Sequence, residues 1–312
     1  MDKNRLLLIY GLVFIIMVIW GLNIVIIKKL VEELPPQTMT AFRMMIAGIT
    51  ALIIIGSGKS LRRLSKREWV YTLLGMLFGV ILHHSLLAVA LTMIDASNAS
   101  LILALVPLTT ALLAGHFLGE QLTRLRMIGI ILALTGVFFI QGGSLSSMLL
   151  SQGEFYVFIA MFVQAISFIF VKKATATLDS KQVTTIMYLV GSIGLLIISF
   201  ITEPGGVNGM TSASLFIYFL FIVSGIVSTG VGYIVFNAAI QQIGAGQTAI
   251  FNNFVPFFGL VFSALFLNEA ITASQLTGFG FIVAGVLFGT GYIEKLWAEK
   301  HKQINNPKRS VG

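Results

Sequence analysis

Long apolar runs separated by short polar segments make up most of the chain. A run of roughly 20 apolar residues is long enough to cross the hydrocarbon core of a bilayer as a helix. A helix also satisfies its own backbone hydrogen bonds, which lipid cannot do for it. The pattern therefore predicts an all-α integral membrane protein with ten transmembrane helices. The predicted spans are Leu6–Ile27, Met39–Gly56, Val70–Ile94, Ser97–Leu118, Met127–Gln141, Phe155–Lys172, Val183–Ile201, Leu215–Ile240, Thr248–Leu267 and Ala273–Ile293.

Lysine and arginine are distributed unequally between the two sides of this arrangement. With the N-terminus in the cytoplasm, 17 of the 20 fall in cytoplasmic segments, Lys28 and Lys29 fall outside, and Arg43 falls within a span. Short cytoplasmic loops of membrane proteins carry an excess of basic residues. The split therefore predicts a multi-pass protein of the cell (plasma or inner) membrane with both termini in the cytoplasm.

Composition removes several classes of function. Hydrophobic residues make up 57% of the chain and charged residues only 10%, whereas soluble domains carry about 25% charged residues. The net charge of +8 does not indicate nucleic-acid binding, because the basic residues lie in loops and in the C-terminal tail. The absence of cysteine excludes a disulfide framework, thiol catalysis and a cysteine metal site. No metal and no cofactor are expected.

The second part of the chain repeats the first. Residues 90–139 align without a gap with residues 239–288, at an offset of 149. Each half of the chain holds five of the predicted spans. Because five is an odd number, the second half enters the membrane from the opposite side. The expected architecture is a 5+5 inverted-topology repeat, as in many secondary transporters. Its units are residues 1–142, residues 154–293 and a basic cytoplasmic tail, residues 294–312. The aligned pairs include Pro107 with Pro256, Glu120 with Glu269, and Gly136 with Gly285.

The segment 96–139, with its proline, its glutamate and its spaced glycines, resembles the half-domain of EamA-type transporters in the drug/metabolite transporter superfamily. Its copy at 245–288 resembles the same half-domain, so the likeness covers nearly the whole chain. The resemblance implies export or exchange of a small metabolite, an amino acid or a drug through a central cavity. Two further likenesses to the family lie in the first two spans: Trp20-Gly21 and Phe42-Arg43.

Polar and aromatic side chains inside the spans are the candidate substrate contacts, because burying such groups in lipid is costly. Together they would line a polar cavity for an amphipathic solute. The alternative is that they only hydrogen-bond between helices and hold the bundle together. The sequence is compatible with proton coupling through one of two adjacent histidines and with equilibrative transport. The candidates are Trp20, Asn23, His83, His84, Tyr233, Asn237, Asn252 and Asn253.

Five further residues have alternative roles. Arg43 either extends to the membrane interface or faces the cavity as a contact for an anionic group. Glu120 and Glu269 end the fourth and ninth spans, where we expect them to satisfy backbone donors at the start of the next helix. Pro107 and Pro256 each remove a backbone hydrogen bond and are expected to kink these spans, as a packing feature or as a hinge.

The sequence favours a secondary transporter, since no ATP-binding domain accompanies the spans. Its partners are expected to be a small-molecule substrate and the lipid bilayer, with no nucleic acid. Its oligomeric state is expected to be a monomer or a weak homodimer. A membrane-embedded enzyme is one alternative, but no compact catalytic set or zinc-binding spacing is present, so the chain is predicted not to be an enzyme. A non-transporting sensor or a lipid-moving protein is the other alternative.

Reporter fusions test the predicted topology. A reporter fused after Gln152 or after Gly206 is expected to lie outside, and one fused after Arg67 in the cytoplasm, because the basic residues set the orientation. Alkaline phosphatase and green fluorescent protein, which are active on opposite sides of the membrane, measure the two locations independently. An external signal after Arg67 would contradict the ten-span arrangement.

Overall fold

The computed structural model describes residues 3–56, 61–118, 123–140, 150–243, 248, 251–289 and 293, and within them all regular structure is helical. Two π-helical segments, π1 (Leu77–Leu82) and π2 (Ser224–Val231), join α3 to α4 and α11 to α12. The α-helices are α1 (Lys3–Glu33), α2 (Pro36–Gly56), α3 (Lys66–Met76), α4 (His83–Leu91), α5 (Ala96–Leu103), α6 (Val106–Leu118), α7 (Arg124–Ile140), α8 (Gln152–Ala174), α9 (Ser180–Thr202), α10 (Gly206–Gly209), α11 (Leu215–Val223), α12 (Gly232–Ile243), α13 (Phe254–Leu267) and α14 (Ala273–Gly289).

Seven helical stretches in the described part of the chain are long and apolar enough to cross a membrane. Three further apolar helices are shorter: Met127–Phe139, Phe254–Leu267 and Ala273–Gly289. Each of the ten predicted spans overlaps one of these stretches. The prediction of an all-helical membrane protein is therefore confirmed.

Polar caps set the start of the helices that follow the longer connections. At the start of α3 the backbone amide of Ser65 donates to the Glu68 carboxylate at 2.7 Å, and the Glu68 amide donates back to the Ser65 hydroxyl at 3.3 Å. Ser151 and Glu154 make the same reciprocal pair at the start of α8. Such a pair satisfies two of the backbone donors that a helix start leaves without a partner.

Contacts between the two repeated segments hold the bundle together. Helices α2 and α9, which occupy the second position in each repeat, pack on one another, and so do α7 and α14, which occupy the fifth. Helix α1, in the first predicted span of the first repeat, packs on α13, in the fourth span of the second repeat. Likewise α8, in the first span of the second repeat, packs on α5 and α6, in the fourth span of the first repeat. The packing therefore follows the sequence repeat.

Two carboxylates of the second segment cap helices of the first. Glu203, which follows α9, accepts the backbone amides of Gln37 and Thr38 at 2.9 Å each, at the start of α2. Glu269, which follows α13, accepts the amides of Ala96 and Ser97 at 2.9 and 3.0 Å, at the start of α5. Negative charge at a helix start is favourable because the amides there carry partial positive charge.

Glu269 caps a different helix from the one predicted. We expected its carboxylate to accept backbone amides at the start of α14, but the Thr272 amide there donates to the side-chain oxygen of Gln275 at 2.9 Å. Because Gln275 and Thr272 already cap α14, the Glu269 carboxylate is available for the start of α5. Glu120 lies outside the described residues.

Helices α7 and α14 pack with their backbones in direct contact. A Cβ atom added to Gly285 would lie 2.6 Å from the Ala133 backbone nitrogen, and one added to Gly136 would lie 2.6 Å from the Gly278 carbonyl oxygen. Small residues allow membrane helices to approach this closely. This interface therefore depends on glycine.

Replacement of Gly285 by alanine is expected to destabilise the protein, because the added methyl group forces the two helices apart. Overpacking of this kind costs about 1–3 kcal/mol, and the melting temperature of the detergent-solubilised protein measures it. Gly280→Ala is the matched control in the same helix, since a Cβ there meets no atom within 4 Å. Equal melting temperatures for the two variants would refute the direct backbone contact.

Candidate functional site

The two π-helical segments lie at repeat-related positions. Leu82 ends π1 and Val231 ends π2, and these residues are 149 positions apart, the offset of the sequence repeat. π-Helical turns are rare and occur frequently at functional sites. The residues that follow are His83 and His84 in α4 and Tyr233 in α12, all predicted site residues.

Helix α1 is hydrogen-bonded to π2 through two predicted site residues. The Trp20 indole nitrogen donates to the Ser228 carbonyl oxygen at 2.8 Å. One turn later, the Asn23 side-chain oxygen accepts from the Ser224 hydroxyl at 2.6 Å. The indole also lies against Gly232, where an added Cβ would be 2.8 Å from the indole nitrogen. Trp20 and Asn23 therefore fix α1 against the irregular part of the eighth predicted span.

Arg43 points into the protein and contacts the same segment. Its side chain is 1% exposed, and its Nη1 donates to the hydroxyls of Ser224 at 3.3 Å and Thr229 at 3.2 Å. The Nε atom has no hydrogen-bond partner. Among the described residues, no carboxylate forms an ion pair with this guanidinium. Arg43 therefore does not extend to the membrane interface, and its contact with a substrate anion stays a prediction.

A chain of aromatic rings connects α1 to α4 across the site. The ring centroids are 4.8 Å apart for Trp20 and Tyr233, 5.4 Å for Tyr233 and Tyr188, and 6.4 Å for Tyr188 and His84. The His84 and His83 rings follow at 4.8 Å. The site therefore has a continuous aromatic wall contributed by helices of both repeats.

Tyr188 was not among the predicted site residues. Two side-chain contacts, four residues apart, join α9 to α12: Tyr188 packs on Tyr233, and Thr184 accepts a hydrogen bond from the Asn237 amide at 2.8 Å. Two signals in the sequence point to this residue. Thr184 and Tyr188 share one face of an apolar span, and α2 laid over α9 with Gln37 on Gln182 places Arg43 on Tyr188.

The two adjacent histidines have different surroundings although both are buried. The Nδ1 atom of His83 is hydrogen-bonded to the Ala160 carbonyl oxygen of α8 at 2.9 Å. Both ring nitrogens of His84 are buried and have no hydrogen-bond partner in the part of the chain that the structure describes. His83 therefore has a partner in the helix bundle, whereas His84 has unused hydrogen-bonding capacity at the site.

Asn252 and Asn253 are not brought to the same level by the described contacts. They occupy a turn before α13, and the preceding residue Phe251 packs on Tyr10 of α1 at a ring separation of 5.6 Å. Tyr10 lies ten residues before Trp20, which is about 15 Å along a helix at 1.5 Å per residue. Phe251 also packs against the apolar cluster that holds Trp20, so a cavity-lining role for the two asparagines stays a prediction.

Pro107 and Pro256 stand in the first turns of new helices rather than in the middle of continuous ones. Pro107 is the second residue of α6, and Pro256 is the third residue of α13. Proline is tolerated there because the first backbone amides of a helix have no acceptor within it. Each predicted span is therefore interrupted before its proline, at repeat-related positions. A hinge function for these breaks stays a prediction.

Two repeated helical segments that enclose a buried polar and aromatic site define the general plan of a membrane transporter. The model of the EamA-like transporter family matches residues 7–142 and, a second time, residues 151–290. The chain therefore belongs to the EamA-like transporter family, and the resemblance found in the sequence is confirmed.

Relatives with similar length agree with this assignment. An uncharacterized transporter of Bacillus subtilis (strain 168), YvbV, is 26% identical over 271 residues, which cover 87% of this chain and 88% of the relative. A protein of Salmonella typhimurium named as a probable amino-acid metabolite efflux pump is 27% identical, with 88% of this chain and 92% of the relative covered. A solved crystal structure has the same fold, with a TM-score of 0.67 at 17% identity over 91% of this chain and 97% of that chain.

Proposed function

We propose that the protein is a secondary, ATP-independent transporter that exports or exchanges a small metabolite, an amino acid or a drug by alternating access. The observation that carries the proposal is the site shared between the repeats. Trp20 and Arg43 come from the first repeat, and Tyr188 and Tyr233 come from the second, so relative movement of the repeats changes the site directly. A site at such an interface is where alternating access places a substrate.

The helix pairing supports the finer architecture of ten transmembrane helices in a 5+5 inverted-topology repeat. When each helix is replaced by its equivalent in the other repeat, the contact of α1 with α13 becomes the contact of α8 with α5 and α6. Both contacts are present. The same exchange maps the contact of α2 with α9, and that of α7 with α14, onto itself. This is the behaviour expected of two antiparallel copies related by a two-fold axis in the membrane plane.

One buried apolar cluster lies at the ends of the helices that the topology places outside. It includes Leu30 of α1, Met39 of α2, Leu91 of α4, Ala96 of α5 and Ile217 of α11. The Glu203 and Glu269 caps cross between the repeats on the same side. For a solute to leave to the outside, this cluster has to separate while the site closes toward the cytoplasm.

The named relatives favour a transporter over a membrane-embedded enzyme, a sensor or a lipid-moving protein. One is called a transporter, and another is called a probable amino-acid metabolite efflux pump. Amino acids are therefore among the first solutes to test. The aromatic wall and the hydrogen-bonding groups beside it suit a solute with an apolar body and a polar end.

Solute counterflow in proteoliposomes tests the proposed function. Vesicles loaded with an unlabelled solute are expected to accumulate the labelled solute transiently, without ATP, when the solute is a substrate. Tyr233→Ala is expected to slow this uptake about tenfold, because each aromatic contact contributes about 0.5–1.5 kcal/mol. Tyr218→Phe, which alters a tyrosine bonded to the Met210 carbonyl oxygen away from the site, is the matched control.

Single-cysteine labelling locates the pathway, because the native chain has no cysteine. Asn237→Cys is expected to react with small polar thiol reagents, and a transported solute is expected to slow the reaction. Ile222→Cys, at a half-exposed apolar position of α11, is expected to remain unreactive in the bilayer. If Asn237→Cys stayed inert while counterflow continued, the substrate pathway would have to lie elsewhere.

A further inference from the structure

The site contains a permanent positive charge that has no acidic partner among the described residues. An arginine side chain stays protonated in proteins, and charges buried within membrane spans are normally paired. The described ion pairs involve Lys28, Lys29 and Arg62, and Arg43 takes part in none of them. None of the ten predicted spans contains aspartate or glutamate. The charge of Arg43 is therefore balanced by no side chain of the spans.

Within the described residues, the same site also has hydrogen-bonding groups without partners. A guanidinium has five N–H donors, but the hydrogen bonds that Arg43 makes to other described residues are the two that its Nη1 donates to Ser224 and Thr229, and its Nε has none there. His84 is 6% exposed, and neither of its ring nitrogens has a partner in the described part of the chain. Arg43 bonds to Thr229, and Tyr233, four residues further along the chain, packs on Tyr188. The Tyr188 ring in turn lies 6.4 Å from the His84 ring, so these groups belong to one site.

The chemistry of these groups selects one kind of solute. A planar guanidinium matches a carboxylate, which accepts two parallel hydrogen bonds from it. A single arginine balances one negative charge. Trp20 bonds to π2, the segment that Arg43 also contacts, and the Tyr233 ring, 4.8 Å from the Trp20 ring, adds to an apolar surface there. A solute ammonium group would find no carboxylate in the spans to pair with.

We propose that the substrate is a carboxylate monoanion with an aromatic or other apolar body and without an ammonium group. Its carboxylate binds Arg43, with His84 as a second hydrogen-bond partner, and its body packs on the aromatic wall at Trp20. This inference rests on the proposed transport function and narrows its substrate class from amino acids, drugs and metabolites in general to organic acids.

Binding to a single-tryptophan protein tests the proposal without requiring transport. The double variant Trp69→Phe and Trp297→Phe leaves Trp20 as the sole tryptophan, so its fluorescence reports on the site. The probes are 3-phenylpropanoate, phenylalanine and phenethylamine, which share a ring and differ in charge. We expect 3-phenylpropanoate to bind at least about tenfold more tightly than phenethylamine, and more tightly than phenylalanine, because hydrogen bonds to charged groups are stronger than those between neutral groups.

Charge variants then assign the contact to Arg43. Arg43→Gln keeps hydrogen-bond donors toward Ser224 and Thr229 but removes the charge, and is expected to weaken 3-phenylpropanoate binding about tenfold to a hundredfold. Lys29→Gln removes an exposed positive charge elsewhere and is expected to leave binding unchanged. Arg43→Lys keeps the charge without the planar fork and is expected to weaken 3-phenylpropanoate binding severalfold relative to the wild-type protein, a comparison that does not require the glutamine variant to fold.

His84→Phe is expected to weaken 3-phenylpropanoate binding severalfold and to leave phenethylamine binding unchanged, because it removes the hydrogen-bonding groups and keeps a ring. Tighter binding of phenylalanine or phenethylamine than of 3-phenylpropanoate would overturn the proposal, and so would a folded Arg43→Gln variant with unchanged affinity or no response to any probe at millimolar concentration. If one of these binding results were obtained and counterflow of a zwitterionic or cationic solute were observed, the proposed transport function would be retained and only the assignment of an anionic substrate would be wrong.

Discussion

A guanidinium buried among apolar helices has to find its acceptors inside the protein, because lipid offers none. Arg43 finds two of them on π2, the hydroxyls of Ser224 and Thr229. Ser224 in turn donates to Asn23 of α1, and Thr229 donates to the Ser224 carbonyl oxygen. One hydrogen-bond network therefore joins α1, α2 and the eighth predicted span. A buried charge left without these acceptors would be costly, so the network fixes where the aromatic wall forms.

The site is asymmetric although the two repeats share a sequence pattern. Trp20 in α1 reaches a backbone carbonyl oxygen of π2, while in the other repeat the Ser167 hydroxyl of α8 donates to the Gly75 carbonyl oxygen just before π1. Arg43 of α2 lies at the position that Tyr188 occupies in α9. The repeated scaffold is thus retained on both sides, whereas the charge and the indole are supplied by one repeat and the phenols by the other.

Sequence pattern predicts the features that depend on helical periodicity and on the repeat. Trp20 with Asn23, and Tyr233 with Asn237, are one turn apart and face the interior together, as their spacing indicates. The prediction that failed concerns packing between segments that are distant in the sequence. Glu269 caps α5 across the repeat boundary because the nearer helix has its own cap, and no local pattern encodes that choice.

The depth of a residue in the membrane is also poorly encoded by sequence. Asn252 and Asn253 occupy the turn before α13, where their neighbour Phe251 packs against Tyr10, and their place in the central cavity stays a prediction. The interior position of Arg43 depends likewise on π2, whose two hydroxyls become available only in the folded bundle. Helix breaks and π-turns change depth and direction without altering the hydrophobic pattern that predicts the spans.

In the proposed site Arg43 is a cation whose partner is the solute, and a high-resolution structure of the protein with 3-phenylpropanoate bound tests this most directly. Density is expected for the carboxylate within hydrogen-bond distance of the Arg43 guanidinium and for the phenyl ring against Trp20. Density for the solute at another place in the bundle, with the Arg43 side chain still bound only to Ser224 and Thr229, would contradict it.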